Sequence, residues 1–290
     1  MLVLKLSDED KSDFSQVDKG LGDYNGEMTI IKKTSVGNGL SDLQYQQFSR
    51  DGFLKIKAFA TDEFTQHIVD VVEASLNPAT GPLEYEAEVH YPGSPVNRNA
   101  TGGNTPRRLL NAYTRDAVFR EWVSEPRVVD IMKQLIGADK VLLTQNHHNC
   151  IMTKLPQFSS KTEWHQDFRY WSFDRPELVN IWLALGDEVV ENGGMKFIPG
   201  SHKMNFDRGQ LDADLFLRQD IAENKELLKT AVELEMKAGD VLFFHCQTFH
   251  AAGANTMSTP KYSPVFSYHA ADNFPIKGTR SDRLESVAVE

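Results

Sequence analysis

Between residues 41 and 140 the apolar positions recur mostly at helical spacing; beyond residue 140 they come in short runs at strand spacing. Ser41 stands where a helix needs a cap, ahead of a helix through Phe48 that Gly52 can end. Phe53-Leu54-Lys55-Ile56-Lys57 alternates and predicts a strand. Thr61 opens a second helix, and Phe64, Ile68, Val71 and Val72 form its apolar stripe to about Leu76. Two more helices are predicted over 114–123 and 126–136, the second closed by Gly137. Residues 77–105 are rich in Pro, Gly and Asn and lack a clear period, which predicts a lid or substrate loop.

After Lys140 the runs VLLTQNHHNCIMTKL, LVNIWLALGD, MKFIPGS, VELEM, DVLFFHC and SPVFSYHA read as strands. Turn signals such as Glu191-Asn192-Gly193-Gly194 and Ala238-Gly239-Asp240 separate them. A helical insert is expected over 212–229. Many short strands with Gly-rich turns predict a mainly β barrel or sandwich with flanking helices. Residues 1–40 are polar, acidic and weakly periodic, and read as an arm; residues 41–290 read as one domain.

Composition narrows the partners. Of 290 residues, 40% are hydrophobic and 25% charged, ordinary for a globular chain. A net charge of −10 argues against nucleic acid and against an anionic membrane surface. Arg98, Arg107, Arg108, Arg115 and Arg120 form a local basic stretch, read as a solvated loop and helix face. Cys150 and Cys246 lie in apolar runs and are expected as buried free thiols. With no signal-peptide pattern and no run of membrane-spanning length, a cytoplasmic location is expected. No P-loop or G-x-G-x-x-G is present.

The candidate chemistry starts at Trp164-His165-Gln166-Asp167-Phe168. On a strand, positions i and i+2 share a face, so His165 and Asp167 can aim an imidazole and a carboxylate at one point. The distant run Phe243-Phe244-His245-Cys246-Gln247-Thr248-Phe249-His250 supplies a further imidazole. Two histidines and a carboxylate on one side of a metal form the facial triad of non-haem iron oxygenases.

The stretches WHQDFRYWSF, NIWLALGDEVVENGGMKFIPGSHK and AGDVLFFHCQTFHAAGANT, in that order, resemble the phytanoyl-CoA dioxygenase family of Fe(II)/2-oxoglutarate oxygenases. The opening LQYQQFSRDGFLKIKAFATDEF is also similar. The resemblance implies a double-stranded β-helix, a jelly-roll of cupin type. It implies Fe(II), O₂ and 2-oxoglutarate, which is decarboxylated to succinate and CO₂ while a substrate is hydroxylated. His165, Asp167 and His250 match the family's metal ligands, with Gly253 and Asn255 in the expected spacing after His250. His245 is the competing histidine, read as a core residue.

One position departs from the family. Where an arginine normally pairs the 5-carboxylate of 2-oxoglutarate, this chain has Lys261, which keeps the charge but loses the bidentate fork. Trp182 and Gln166 match positions lining the cosubstrate pocket, and Cys150 is expected near it. Gln145, Asn146, His147 and Asn149, read as one polar strand, are substrate candidates, with Arg169 and Tyr170 at the rim. His202 is expected to be structural. The substrate expected is a small molecule, free or linked to a carrier or CoA; the oligomeric state stays open. Asp167 argues against halogenation, whose enzymes replace that carboxylate. The alternatives are desaturation or ring formation by the same iron chemistry, or a cupin-type metalloenzyme that does not use 2-oxoglutarate.

Overall fold

The computed structural model describes residues 39–289 apart from residues 92 and 157. The arm expected over residues 1–40 lies, up to residue 38, outside the described residues.

The first elements form where capping and apolar spacing coincide. In α1 (Asp42–Asp51) the Ser41 hydroxyl accepts from the Gln44 amide, and the Gln44 side chain accepts from the Ser41 amide. Gly52, at φ 82°, turns the chain straight into β1 (Phe53–Ile56). Thr61 caps α2 (Asp62–Leu76). The segment expected to lack structure contains β2 (Leu83–Tyr85), stitched to β3 (Pro106–Leu110) by antiparallel pairing. Then come α3 (Ala112–Arg115), α4 (Ala117–Val123) and α5 (Pro126–Ile136), which Gly137 closes.

The strand-rich part comprises β4 (Val141–Leu143), β5 (Asn149–Lys154), β6 (Thr162–His165), β7 (Leu178–Leu183) and β8 (Met195–Phe197). After α6 (Ala222–Leu228) follow β9 (Val232–Glu233), β10 (Val241–His245), β11 (His250–Ala252), β12 (Lys261–Ala270) and β13 (Val287–Ala288). Two expectations need correction. The insert over 212–229 is helical only in α6, because the Asp212 carboxylate takes the amides of Asp214 and Phe216 and holds a turn instead. The run from Val141 is two strands, not one: residues 144–148 bend, and the Asn146 amide donates to the carbonyls of Ser281 and Leu284.

Among the described residues the strands form two antiparallel sheets. The larger runs β1-β10-β7-β12-β5-β3-β2, with β4 on β12 and β13 on β4; the smaller runs β6-β11-β8-β9. The larger sheet is covered on both faces, and β7 shows how. Val179, Ile181 and Leu183 enter a core shared with α2, α4 and α5, while Trp182 enters a second core between the sheets. That second core, with Phe53, Phe197, Leu242, Phe244 and Val265, fills one part of the inter-sheet space and leaves the rest as a cavity. The architecture is the expected mainly β, double-stranded β-helix with flanking helices. Among the described residues no helix is long and apolar enough to cross a membrane.

Candidate active site

His165 ends β6 and His250 begins β11, and the two are direct partners across the small sheet. Their rings lie 4.2 Å apart. Asp167 is not on the same strand as His165, as the sequence suggested; it opens a 3-10 turn, Asp167–Tyr170. The turn still swings the carboxylate back: Asp167 Oδ1 lies 3.6 Å from His165 Nε2 and 3.7 Å from His250 Nε2. All three residues are buried.

The outer atoms of each ligand candidate are tied down. His165 Nδ1 donates to the Glu163 carbonyl at 2.8 Å, and His250 Nδ1 to the Thr248 carbonyl at 3.0 Å. A carbonyl only accepts, so each Nδ1 carries the hydrogen and each Nε2 presents a lone pair. Burial, then the neighbouring His165, push His250 down to about 4, so it stays a neutral donor. Asp167 Oδ2 accepts from Asn180 Nδ2 at 2.8 Å, and the Asn180 oxygen accepts from Ser267. Burial alone would raise the Asp167 pKa, but the facing imidazoles of His148, His250 and His165 hold it below the usual carboxylate range. Two imidazole nitrogens and one carboxylate oxygen thus converge within 4.8 Å of one another. Two imidazoles plus a carboxylate suit a divalent first-row metal. These residues fit an iron site.

The cavity is about 330 Å³, and this cluster lies on its wall. One end is closed and cationic, lined by Arg107, Lys154, Lys261 and Trp182. Lys261 Nζ donates to Glu188 Oε2 at 3.0 Å and to Ser263 Oγ at 3.3 Å, and lies 4.9 Å from the Trp182 ring. Glu188 is fully engaged, accepting also from Trp182 Nε1 and Ser263 Oγ. The other end is the mouth, with Glu84, Glu88, Tyr91, Tyr170, Trp171 and Arg280.

Of the residues singled out from sequence, the structure brings His165, Asp167, His250, Lys261, Trp182, His147 and Tyr170 to this cavity. Gln166 is not on its wall: its amide donates to the Gln247 carbonyl at 2.5 Å. Gln145 points away and donates to the Glu285 carbonyl, because the bend at 144–148 breaks the strand alternation that would have turned it inward. Asn149 accepts from the Tyr113 amide. Arg169 lies over Phe216 and donates to the Asp214 carbonyl, bracing the mouth from outside. His202 packs on His245, away from the cluster. Cys150 is on the cavity wall as a free thiol, its pKa pushed up to about 11 by burial.

Sequence reasoning missed several wall residues. The sequence places Arg107 and Arg108 on a solvated face, yet Arg107 is 4% exposed and Arg108 pairs with Glu84 at 3.1 Å. The overlooked signal was their place in an alternating run, Pro106–Leu110. His148, beside His147, carries no signal in the sequence; its Nε2 lies 3.5 Å from Asp167 Oδ1. Lys154 and Glu188 gave no local motif.

The sequence model of the phytanoyl-CoA dioxygenase (PhyH) family matches residues 48–262. The ectoine dioxygenase of Bordetella parapertussis is 25% identical over 272 residues, covering 87% of this chain and 83% of its own. Among solved structures, EctD from S. alaskensis with 2-oxoglutarate and 5-hydroxyectoine superposes with a TM-score of 0.70 at 19% identity, covering 88% of each chain. The non-heme alpha ketoglutarate dependent carbocyclase SnoK from nogalamycin biosynthesis gives 0.66 at 21% identity, covering 85% of this chain and 92% of its own. At these identities the two structures speak for the fold.

Proposed function

The chain belongs to the phytanoyl-CoA dioxygenase family, and from that premise we propose that it hydroxylates a small molecule with His165, Asp167 and His250 as its iron ligands. It is an iron- and 2-oxoglutarate-dependent dioxygenase. The observation that carries the residue assignment is the convergence of two Nε2 lone pairs and Asp167 Oδ1 in a buried pocket, each held by a hydrogen bond on its far side. Bound there, iron with 2-oxoglutarate and O₂ supplies the oxidising chemistry, with succinate and CO₂ as coproducts.

The chain's own side chains do the positioning. Asn180 and Ser267 fix the carboxylate, leaving Oδ1 for the metal. Lys261, pinned by Glu188 and Ser263, offers its third N–H to the distal carboxylate of 2-oxoglutarate. Trp182 holds Glu188 and forms part of the same wall. Substrate enters past Tyr170 and Trp171, where His147 stacks on Trp171 at 4.9 Å. Burial keeps His147 neutral, with its pKa down to about 3, so it offers a hydrogen-bonding ring rather than a charge.

The test is a substrate panel assayed after anaerobic iron loading and oxygen addition. Succinate release coupled to a product heavier by one oxygen atom is expected, with His165→Ala unable to take up iron. Iron uptake unchanged in His165→Ala would overturn the ligand assignment. Coupled turnover yielding a product that has lost hydrogen would replace hydroxylation with desaturation or ring closure.

A further inference from the structure

The closed end of the cavity holds more positive charge than its own acids balance. Arg107 faces Glu86, with Nη1 3.4 Å from either carboxylate oxygen. Lys261 has Glu188. Lys154 has neither: its Nζ donates to the carbonyls of Ser160 at 3.0 Å and Gly253 at 2.6 Å. Among the described residues no carboxylate lies in ion-pair range of it. Three buried cations therefore share two buried acids, Glu86 and Glu188, and only the cations line the cavity.

Lys154 and Lys261 are direct partners across β5 and β12, and both side chains enter the same space. The Lys154 stem passes Gly193, at φ 80°, where a Cβ would come within 2.5 Å of Lys154 Cδ. A buried ammonium given only backbone acceptors is costly unless an anion joins it. Burial first, then Arg107 and Lys261, draw the Lys154 pKa well below the usual lysine range. An arriving carboxylate reverses that pull.

We propose that Lys154 is the second half of the 2-oxoglutarate anchor, so that a pair of lysines from adjacent strands takes the place of the single bidentate arginine. The inference rests on the cosubstrate reading above. It accounts for the departure at Lys261: one ammonium, already sharing its charge with Glu188, is joined by a second that has no acid of its own.

The experiment is anaerobic calorimetric titration of iron-loaded protein with 2-oxoglutarate and with 2-oxobutyrate, which lacks the distal carboxylate. Wild type should prefer 2-oxoglutarate. Lys154→Met should weaken 2-oxoglutarate by about tenfold or more, the worth of a hydrogen bond to a charged group, and leave 2-oxobutyrate unchanged. A merely structural lysine would weaken both acids alike, and that result, or an unchanged preference, overturns the proposal. Should Lys154→Met not fold, the double variant Lys261→Met/Glu188→Gln removes the other pair without stranding a charge. Retained preference for 2-oxoglutarate supports Lys154; complete loss assigns the whole anchor to Lys261 and overturns the proposal. Wild type binding neither acid would overturn the cosubstrate reading itself, and this inference with it.

Discussion

The cavity wall carries two charge centres, here its metal end and its cationic end: in one, two imidazole nitrogens and a carboxylate oxygen converge; in the other, Arg107, Lys154 and Lys261 do. Each end leaves its charge partly unmet, with opposite sign. The donor set at Asp167 suits a cation, and the set at Lys154 suits an anion. The two are supported differently. Asp167 is held by the Asn180 amide and the facing imidazoles, whereas Lys261 and Arg107 are each paired with a buried acid. Removing one acid from each end should therefore be felt in different places, at the metal in one case and in the fold in the other.

The largest effect is expected at Asp167. Asp167→Ala should abolish iron-dependent turnover, a loss on the order of a thousandfold or more. The same change should destabilise the metal-free protein by about 1–3 kcal/mol, because it leaves the buried Asn180 amide and the facing imidazoles without their carboxylate partner. Denaturant unfolding of metal-free protein checks this, and unchanged stability would mean that the carboxylate gains nothing from its neighbours. At the cationic end, Glu188→Ala should destabilise the fold by about 3–5 kcal/mol, because it strands Lys261 without its acid. A near-neutral Glu188→Ala in the same assay would mean that Lys261 finds another partner. A smaller effect is expected one layer out. Asn180→Ala frees Asp167 Oδ2 and should weaken iron binding by about 10–100-fold with the fold intact, read by metal titration.

The two ends also differ in how far they can be read from sequence. At the metal end the chemistry is local: His165 and Asp167 are two residues apart, and His250 stands at a recognisable distance from a Gly-Asp turn. The geometry proved different, a strand end and a 3-10 turn rather than one strand, but closeness along the chain kept the two groups together. The cationic end is assembled from residues 86, 107, 154, 188 and 261, whose proximity depends on strand pairing. No spacing rule relates them. Lys261 was found only because a family pattern has a cation there. Lys154 was invisible because a lysine ending a strand usually reaches water, and nothing local announces that Gly193 leaves room for its stem. The same logic explains Gln145. Alternation predicts facing only while the strand continues, and the bend at 144–148 ended it. Helix caps at Ser41, Thr61 and Gly137 were legible because their physics lies within a few residues.

The smallest effect sharpens the boundary between the functional histidines and the rest. His245 ends β10, five residues from His250, and packs on His202 with ring centroids 5.4 Å apart. Its Nδ1 accepts the Gln247 amide at 3.2 Å, so the folded protein uses it as a neutral acceptor. Burial, and then His202, push its pKa down to about 4 from an ordinary value of 6.5. Between those values the unfolded chain binds a proton that the folded one refuses, so stability rises with pH across the window and is lost as pH falls through it. Above pH 6.5 the group contributes no slope. In His245→Gln that contribution disappears, so the stability gap to wild type should be constant above pH 6.5. Below that value it should change in the variant's favour by about 1.4 kcal/mol per pH unit. His147 and His250, also depressed, titrate in both proteins and cancel in the difference. Denaturant unfolding of metal-free protein from pH 7 to pH 4 reads this directly. Parallel curves would mean that His245 is protonated in the fold as readily as in the unfolded chain. The half-buried site at the end of β10, with Nδ1 as an acceptor, would then be wrong.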